Sequence, residues 1–241
     1  MRSVSLILRR EMASYFTSPI AYLIAAGFLL LTGVSFNNEL TFALGVRPLD
    51  PALIPRLLTQ VMIFLAPLLT MRLLAEESRE GTMELLLTAP ISDLAIVLGK
   101  FLSAWLFYTL LLALTLVYQV IVFSVSRPDL AHVIAAYLGI WLYGGATLAI
   151  GLFFSALTEN QIVAAFLSMV VLFVLYIGEN VGQIVASVDL ARLIFSLTLQ
   201  GHFAPSFAVG LIRGEDVIYY AGVIVVALYL SIQALDARRL R

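Results

Sequence analysis

The sequence predicts an all-α integral membrane protein with about six transmembrane helices. Three observations carry this. First, 62% of the 241 residues are hydrophobic and 12% are charged, whereas soluble domains carry about 25% charged residues. That apolar excess is too large for one core to bury, so lipid must solvate it. Second, six apolar stretches approach the roughly 20 residues a helix needs to cross a hydrocarbon layer. Third, the strict alternation of a barrel strand is missing. Backbone groups in hydrocarbon must pair within their own segment, which leaves the helix.

The stretches are Ile20–Phe36, Leu53–Ala75, Phe101–Val125, Ala131–Leu157, Ile162–Gly178 and Val217–Leu235. The first starts late and no small-x-small cleavage site follows Phe36, so it is expected to be kept as a span. Basic residues set the orientation. With the N-terminus inside, Arg2, Arg9, Arg10, Arg72, Arg79, Lys100, Arg238, Arg239 and Arg241 fall on the cytoplasmic side, and Arg47, Arg56, Arg127, Arg192 and Arg213 fall outside. Both termini are then cytoplasmic and the expected location is the plasma (inner) membrane. The net charge of -1 argues against a nucleic-acid partner. The absence of cysteine excludes disulfides and thiolate chemistry.

One domain is expected over residues 1–241, with three informative segments beside the spans: 1–19, 76–99 and 179–216. In the first, Val4, Ile7, Leu8, Met12 and Tyr15 share one helical face, with Arg2, Arg9 and Arg10 away from it. Leu6 and Glu11 interrupt the pattern. This suits an amphipathic helix on the inner leaflet or a plain basic flank, and Pro19 marks the turn into the first span.

The second segment holds five of the 15 acidic residues, Glu76, Glu77, Glu80, Glu84 and Asp93. Gly81 and Pro90 break it into short pieces, and Ser92 suits the N-cap of a helix leading into the third span. Met83 and Leu85–Leu87 would be costly in a merely solvated connector, which favours a docking surface for a soluble partner. Thr158–Gln161 predicts a tight hairpin between the fourth and fifth spans. In the third segment, apolar runs are interrupted by Asp189, Arg192, His202 and Pro205. That pattern predicts short re-entrant or interfacial helices packed on protein rather than two more spans.

No catalytic constellation is present: there is no H-E-x-x-H and no G-x-S-x-G. His132 and His202 are expected at the membrane interface. Gly99-Lys100 resembles the end of a phosphate-binding loop, but Phe101 stands where Ser or Thr is needed, so no ATP site of that kind is expected in this chain. Charged residues are nearly absent from the spans. That argues against a self-powered carrier, which needs a buried carboxylate or a broken midplane helix. Pairs of small residues four apart, such as Gly145 with Ala149 and Gly151 with Ser155, predict close helix packing, within one chain or between copies.

Residues 76–101, EESREGTMELLLTAPISDLAIVLGKF, resemble the signature of type-2 ABC exporter permeases, closest to the gliding-motility-associated branch. Arg9-Arg10-Glu11 with Tyr15-Phe16 and Ser18-Pro19-Ile20, the turn Leu157–Gln161, and His202-Phe203, Phe207, Gly210 and Asp216–Tyr220 extend the likeness over nearly the whole chain. The resemblance implies a non-enzymatic permease subunit that acts as a homodimer or with a second permease. It holds no cofactor itself, and separate cytoplasmic ATP-binding subunits carry ATP and magnesium. It also implies that Glu76, Glu77, Arg79, Glu80, Gly81, Thr82, Glu84 and Leu85 form a coupling helix, and that Arg9, Arg10 and Glu11 touch the same ATPase. Residues 179–216 would close the outer path, with Glu179, Asp189, Arg192 and His202 as its gate. An ATPase-linked scaffold that transports nothing is the competing reading. A lipid-modifying enzyme is disfavoured by the missing catalytic cluster.

Overall fold

The computed structural model describes residues 2–43, 46, 48–82, 91–126, 128–184 and 188–239, without the side chains of 2, 179–184, 188, 190–193, 238 and 239. Among the described residues every regular element is helical, and six helices are long and apolar enough to cross a membrane. The chain is an all-α integral membrane protein.

Helix α1 spans Arg2–Thr17. Pro19 then opens α2, Pro19–Ala43, where its missing N–H is no loss because a first-turn N–H has no helical partner. This helix outlasts its apolar stretch, taking in Asn37, Asn38 and Glu39. The second span is α3, Leu53–Thr70, followed by a turn and the short helix α4, Ala75–Arg79. The interruption is stabilised by Ser155. Its Oγ accepts from the Leu74 and Ala75 amides at 3.1 Å each and donates to the Met71 carbonyl at 3.0 Å. Gly81 follows with φ +71°, a left-handed turn that glycine adopts without Cβ strain.

The helix of the third span starts where Ser92 suggests, ahead of the apolar stretch itself. Helix α5 runs Asp93–Leu114, capped by Ser92, whose hydroxyl accepts from the Ala95 amide at 3.3 Å. The apolar stretch begins at Phe101, and the helix carries Lys100 ahead of it because the lysine is paired. The span breaks at Thr115, where Oγ1 donates back to Leu112 O at 2.7 Å, and resumes as α6, Leu116–Val125. Helix α7, Leu130–Leu157, is capped by Asp129. Helix α8, Gln161–Ile184, starts at Asn160, whose Oδ1 accepts from the Ile162 amide at 2.9 Å. The short α7–α8 hairpin matches the expectation.

Three short elements follow: α9, Val188–Leu197, α10, Leu199–Phe203, and a 3-10 turn, Phe207–Val209. The last span is α11, Gly214–Arg239. Helix α7 is the centre of the bundle: 78% of its most apolar stretch is buried, against 17% for α8 and 22% for α11. It packs against α3, α5, α8 and α11. Its glycines permit this approach. A Cβ on Gly144 would lie 2.2 Å from the Tyr108 ring, and one on Gly151 would lie 2.3 Å from Thr70 Oγ1. A Cβ on Gly145 would come within 2.9 Å of the Trp105 ring, so Gly145 and Gly151 serve packing within one chain.

Candidate functional site: a buried ion cluster joining three helices

Helix α1 does not merely flank the first span. It lies along the beginning of α5, where Gly99 leaves room for Ile7; a Cβ there would come within 2.7 Å of the isoleucine. At its C-terminal end, Tyr15 stacks on Phe107 with ring centroids 4.7 Å apart and donates to Leu69 O at 2.8 Å. Burial raises the Tyr15 hydroxyl's pKa, so it stays a neutral donor. Arg72 reaches back from the turn after α3 to the Ser18 hydroxyl at 2.9 Å. The predicted apolar face of α1 is thus real, with Ile7 and Tyr15 buried and Leu6 exposed. It faces protein.

Glu11, which interrupted that face, sits there for a reason. Lys100 of α5 is 1% exposed, and a buried cation is tolerated only when paired. Its Nζ donates to Glu11 Oε1 of α1 at 3.0 Å and lies 3.0 Å from Glu77 Oε1 of α4. Arg10 completes a ring of alternating charge, with Nη2 2.8 Å from Glu11 Oε1 and 2.7 Å from Glu77 Oε1. Burial alone would raise the Glu11 pKa; the Lys100 charge and the hydrogen bonds from Arg10 and Lys100 outweigh it and hold this carboxyl below its ordinary range. The hydrogen bond to Glu11 in turn raises the Arg10 guanidinium, against the opposing effect of burial. Glu77 Oε2 is buried with no hydrogen-bond partner among the described residues.

Around this ring lies a mixed-charge groove of about 580 Å³, lined by Ser14, Arg72, Glu76, Glu80 and Thr82 beside the four ring residues. The predicted docking residues divide by direction. Glu77 and Glu11 turn inward to Lys100, and Glu76 is half-buried. Arg9, Arg10, Arg79, Glu80, Gly81 and Thr82 are exposed. Glu84 and Leu85 lie outside the described residues. Lys100 was the member that sequence reasoning missed. The available signal was a carboxylate on the apolar face of α1, which implies a buried cation nearby.

At the opposite end of the bundle, the four predicted gate residues are not seen as a group. Asp189 is exposed, and the side chains of Glu179 and Arg192 lie outside the described residues. His202 is not simply an interfacial ring. Its Nδ1 lies 2.7 Å from Asp216 Oδ1 of α11, its Nε2 lies 3.2 Å from Ser196 O of α9, and its ring stacks on Tyr219 at 3.7 Å. His132 is likewise engaged, its Nε2 3.1 Å from Ala208 O, a carbonyl that also accepts from Arg56 at 2.7 Å. Asp216 was passed over because acid and histidine are separated by 14 positions and span two elements.

A six-span helical bundle with a charged groove at one end and short packed helices at the other defines a polytopic membrane subunit. Residues 45–234 match the family model described as ABC-2 family transporter protein, and the chain belongs to that family. It is therefore a membrane permease component of an ABC transporter. No curated protein matches the chain significantly. The match takes in Glu77 and Lys100, while α1 with Arg10 and Glu11 lies ahead of it.

Proposed function

We propose that this chain is the permease half of an exporter powered by separate ATP-binding subunits, which dock on the end of the bundle formed by α1, α4 and the start of α5. The observation that supports this most strongly is the Lys100 ring. It ties a surface helix, the loop after the second span and the third span into one body. A force applied to the exposed face of α4 would therefore move α5 rather than bend a loop. Nucleotide acts by binding two states of the assembly differently, and a tied element is what converts that difference into movement of the spans. On this reading the α1 end is cytoplasmic, and export is the direction that the resemblance of residues 76–101 suggests.

The permease works as a dimer, with itself or a second permease. Within one chain the centre is filled by Trp105 stacked on Trp141 at 4.4 Å and by the fully buried Tyr108 and Tyr143, so a path for cargo would form between chains. Two apolar grooves open on the sides. One lies between α2 and α3, holds about 560 Å³ and contains Gln60. The other lies between α7, α8 and α11, with a volume of about 520 Å³. Both suit lipid or hydrophobic cargo. Residues 179–216, with Glu179, Asp189, Arg192 and His202, would gate the outer end.

The test uses Arg79→Glu with Glu80→Lys, both exposed and outside the ring. The pair should insert and purify normally but lose co-purification of the ATP-binding subunit and stimulation of its ATPase. Full retention of both would refute the docking assignment. Retained ATPase stimulation in a complex that moves no candidate cargo in vesicles would favour the scaffold reading.

A further inference from the structure

The His202–Asp216 contact has a proton balance that defines its behaviour. The Ser196 carbonyl can only accept, so Nε2 of His202, 3.2 Å away, must carry a hydrogen. The Nδ1–Oδ1 contact at 2.7 Å is a hydrogen bond, so it too needs a hydrogen between the two atoms. A neutral imidazole with an ionised carboxylate supplies only one hydrogen for these two contacts. Making both contacts at once calls for one proton more than that, placed between ring and carboxylate. Asp216 Oδ2 is buried with no hydrogen-bond partner among the described residues, so His202 is the partner through which this carboxyl holds the neighbouring helix.

We infer that His202 and Asp216 form a proton-held clasp that fastens α10 to both α9 and α11, and that loss of the shared proton loosens this outer segment. Without that proton the ring can keep its hydrogen on one nitrogen only. If it stays on Nε2, Nδ1 and Oδ1 face each other as two acceptors and the bond to α11 is lost. If it moves to Nδ1, the Ser196 carbonyl loses its donor and the bond to α9 is lost. The ring is 18% exposed and Asp216 6% exposed, so the proton can exchange with solvent from one side.

Among the described residues, the other groups around the ring do not replace the clasp. Tyr219 lies face-on and Tyr220 edge-on at 6.5 Å. Their hydroxyls are committed to Leu197 O at 2.8 Å and Leu199 O at 2.7 Å. These bonds persist when the proton leaves, so the change is a loosening of the seam rather than its separation. His132 serves the Ala208 carbonyl. Arg213 and Glu215 pair loosely with each other at 3.8 Å, both exposed. On α8 and α9 the charged residues are Glu179, Asp189 and Arg192, of which only Asp189 has a described side chain, and that is exposed.

The chain has no cysteine, so a single introduced thiol reports cleanly. Ser206 is fully buried and its hydroxyl is bonded to the His202 carbonyl, which makes Ser206→Cys a conservative reporter in the loosening segment. Its maleimide labelling rate in the purified chain in detergent is divided by that of the exposed Asn38→Cys, from about pH 6 to about pH 8.5. The ratio should rise about fivefold towards alkaline pH, as expected for the loss of one hydrogen bond. Adding Asp216→Asn should hold the ratio flat and low, because the amide N–H supplies the bridging hydrogen to a neutral ring at every pH. A flat ratio in Ser206→Cys alone, or a rise that survives Asp216→Asn, overturns the proposal. If the asparagine variant does not fold, His202→Gln serves instead: the pH response should vanish, and its persistence is equally fatal.

Discussion

At the scale of residues, Glu11 and Lys100 show how one charge in the wrong place can mark a site. On α1 the carboxylate breaks an otherwise apolar face, and on α5 the lysine stands among apolar neighbours. Each is anomalous alone, and they account for each other. A buried pair costs desolvation, so its net stabilisation is small. Removing one partner is different, because it leaves an uncompensated charge at a cost of about 3–5 kcal/mol. Lys100→Met should destabilise the purified chain by about that amount in denaturant unfolding. Adding Glu11→Gln and Glu77→Gln should recover most of it.

The Glu11 carboxyl also fixes a pH dependence. Its pKa is depressed in the folded chain, so its contribution is complete above the unfolded carboxylate value of about 4.3 and is lost as pH falls through the lower folded value. The stability difference between the native chain and Glu11→Gln should therefore be constant from about pH 8 to about pH 5.5, and should shrink only in acid below the ordinary carboxylate range. A difference that already falls between those two pH values would contradict the ring as described.

At the scale of elements, the telling feature is the interruption between α3 and α4. A helix end buried inside a bundle leaves amides without partners. Here one hydroxyl from α7 takes two of them and donates to a third backbone group. Ser155→Ala should cost about 1–3 kcal/mol, because the Leu74 and Ala75 amides would remain buried and unsatisfied. Faster backbone hydrogen exchange confined to these two residues and α4 would accompany the loss. The small side chain at Ser155 was legible as a packing residue, four positions after Gly151. Its capping role was not, because the amides it serves are 80 positions away or more.

At the scale of the whole molecule, what could be read from sequence is what depends on local physics. Length and apolarity were enough to locate six spans, because hydrocarbon thickness sets helix length without reference to neighbours. Ser92 and Pro19 mark helix starts by chemistry within a turn or two, and Thr158–Gln161 marks a hairpin. What escaped notice are pairings across elements: Lys100 with Glu11 and Glu77, His202 with Asp216, Arg56 and His132 on one carbonyl. In each case a charged or ring side chain near a span end had a sufficient local explanation as an interfacial residue. Only the fold supplied the second group. The same distances set Glu11 and Glu77 in the ring and leave Arg9, Arg79, Glu80, Gly81 and Thr82 exposed, with Arg10 belonging to both groups.

On the proposed function, an ATP-binding subunit attaches at the end of the bundle carrying α1, α4 and Lys100. Thr82 is exposed beside this groove, and Glu215 is exposed at the opposite end. The most direct measurement is thiol labelling of Thr82→Cys and Glu215→Cys, each in the otherwise cysteine-free chain, with and without the co-expressed ATP-binding subunit. The subunit should protect Thr82→Cys and leave Glu215→Cys unchanged. Protection of Glu215→Cys with Thr82→Cys still fully reactive would contradict it.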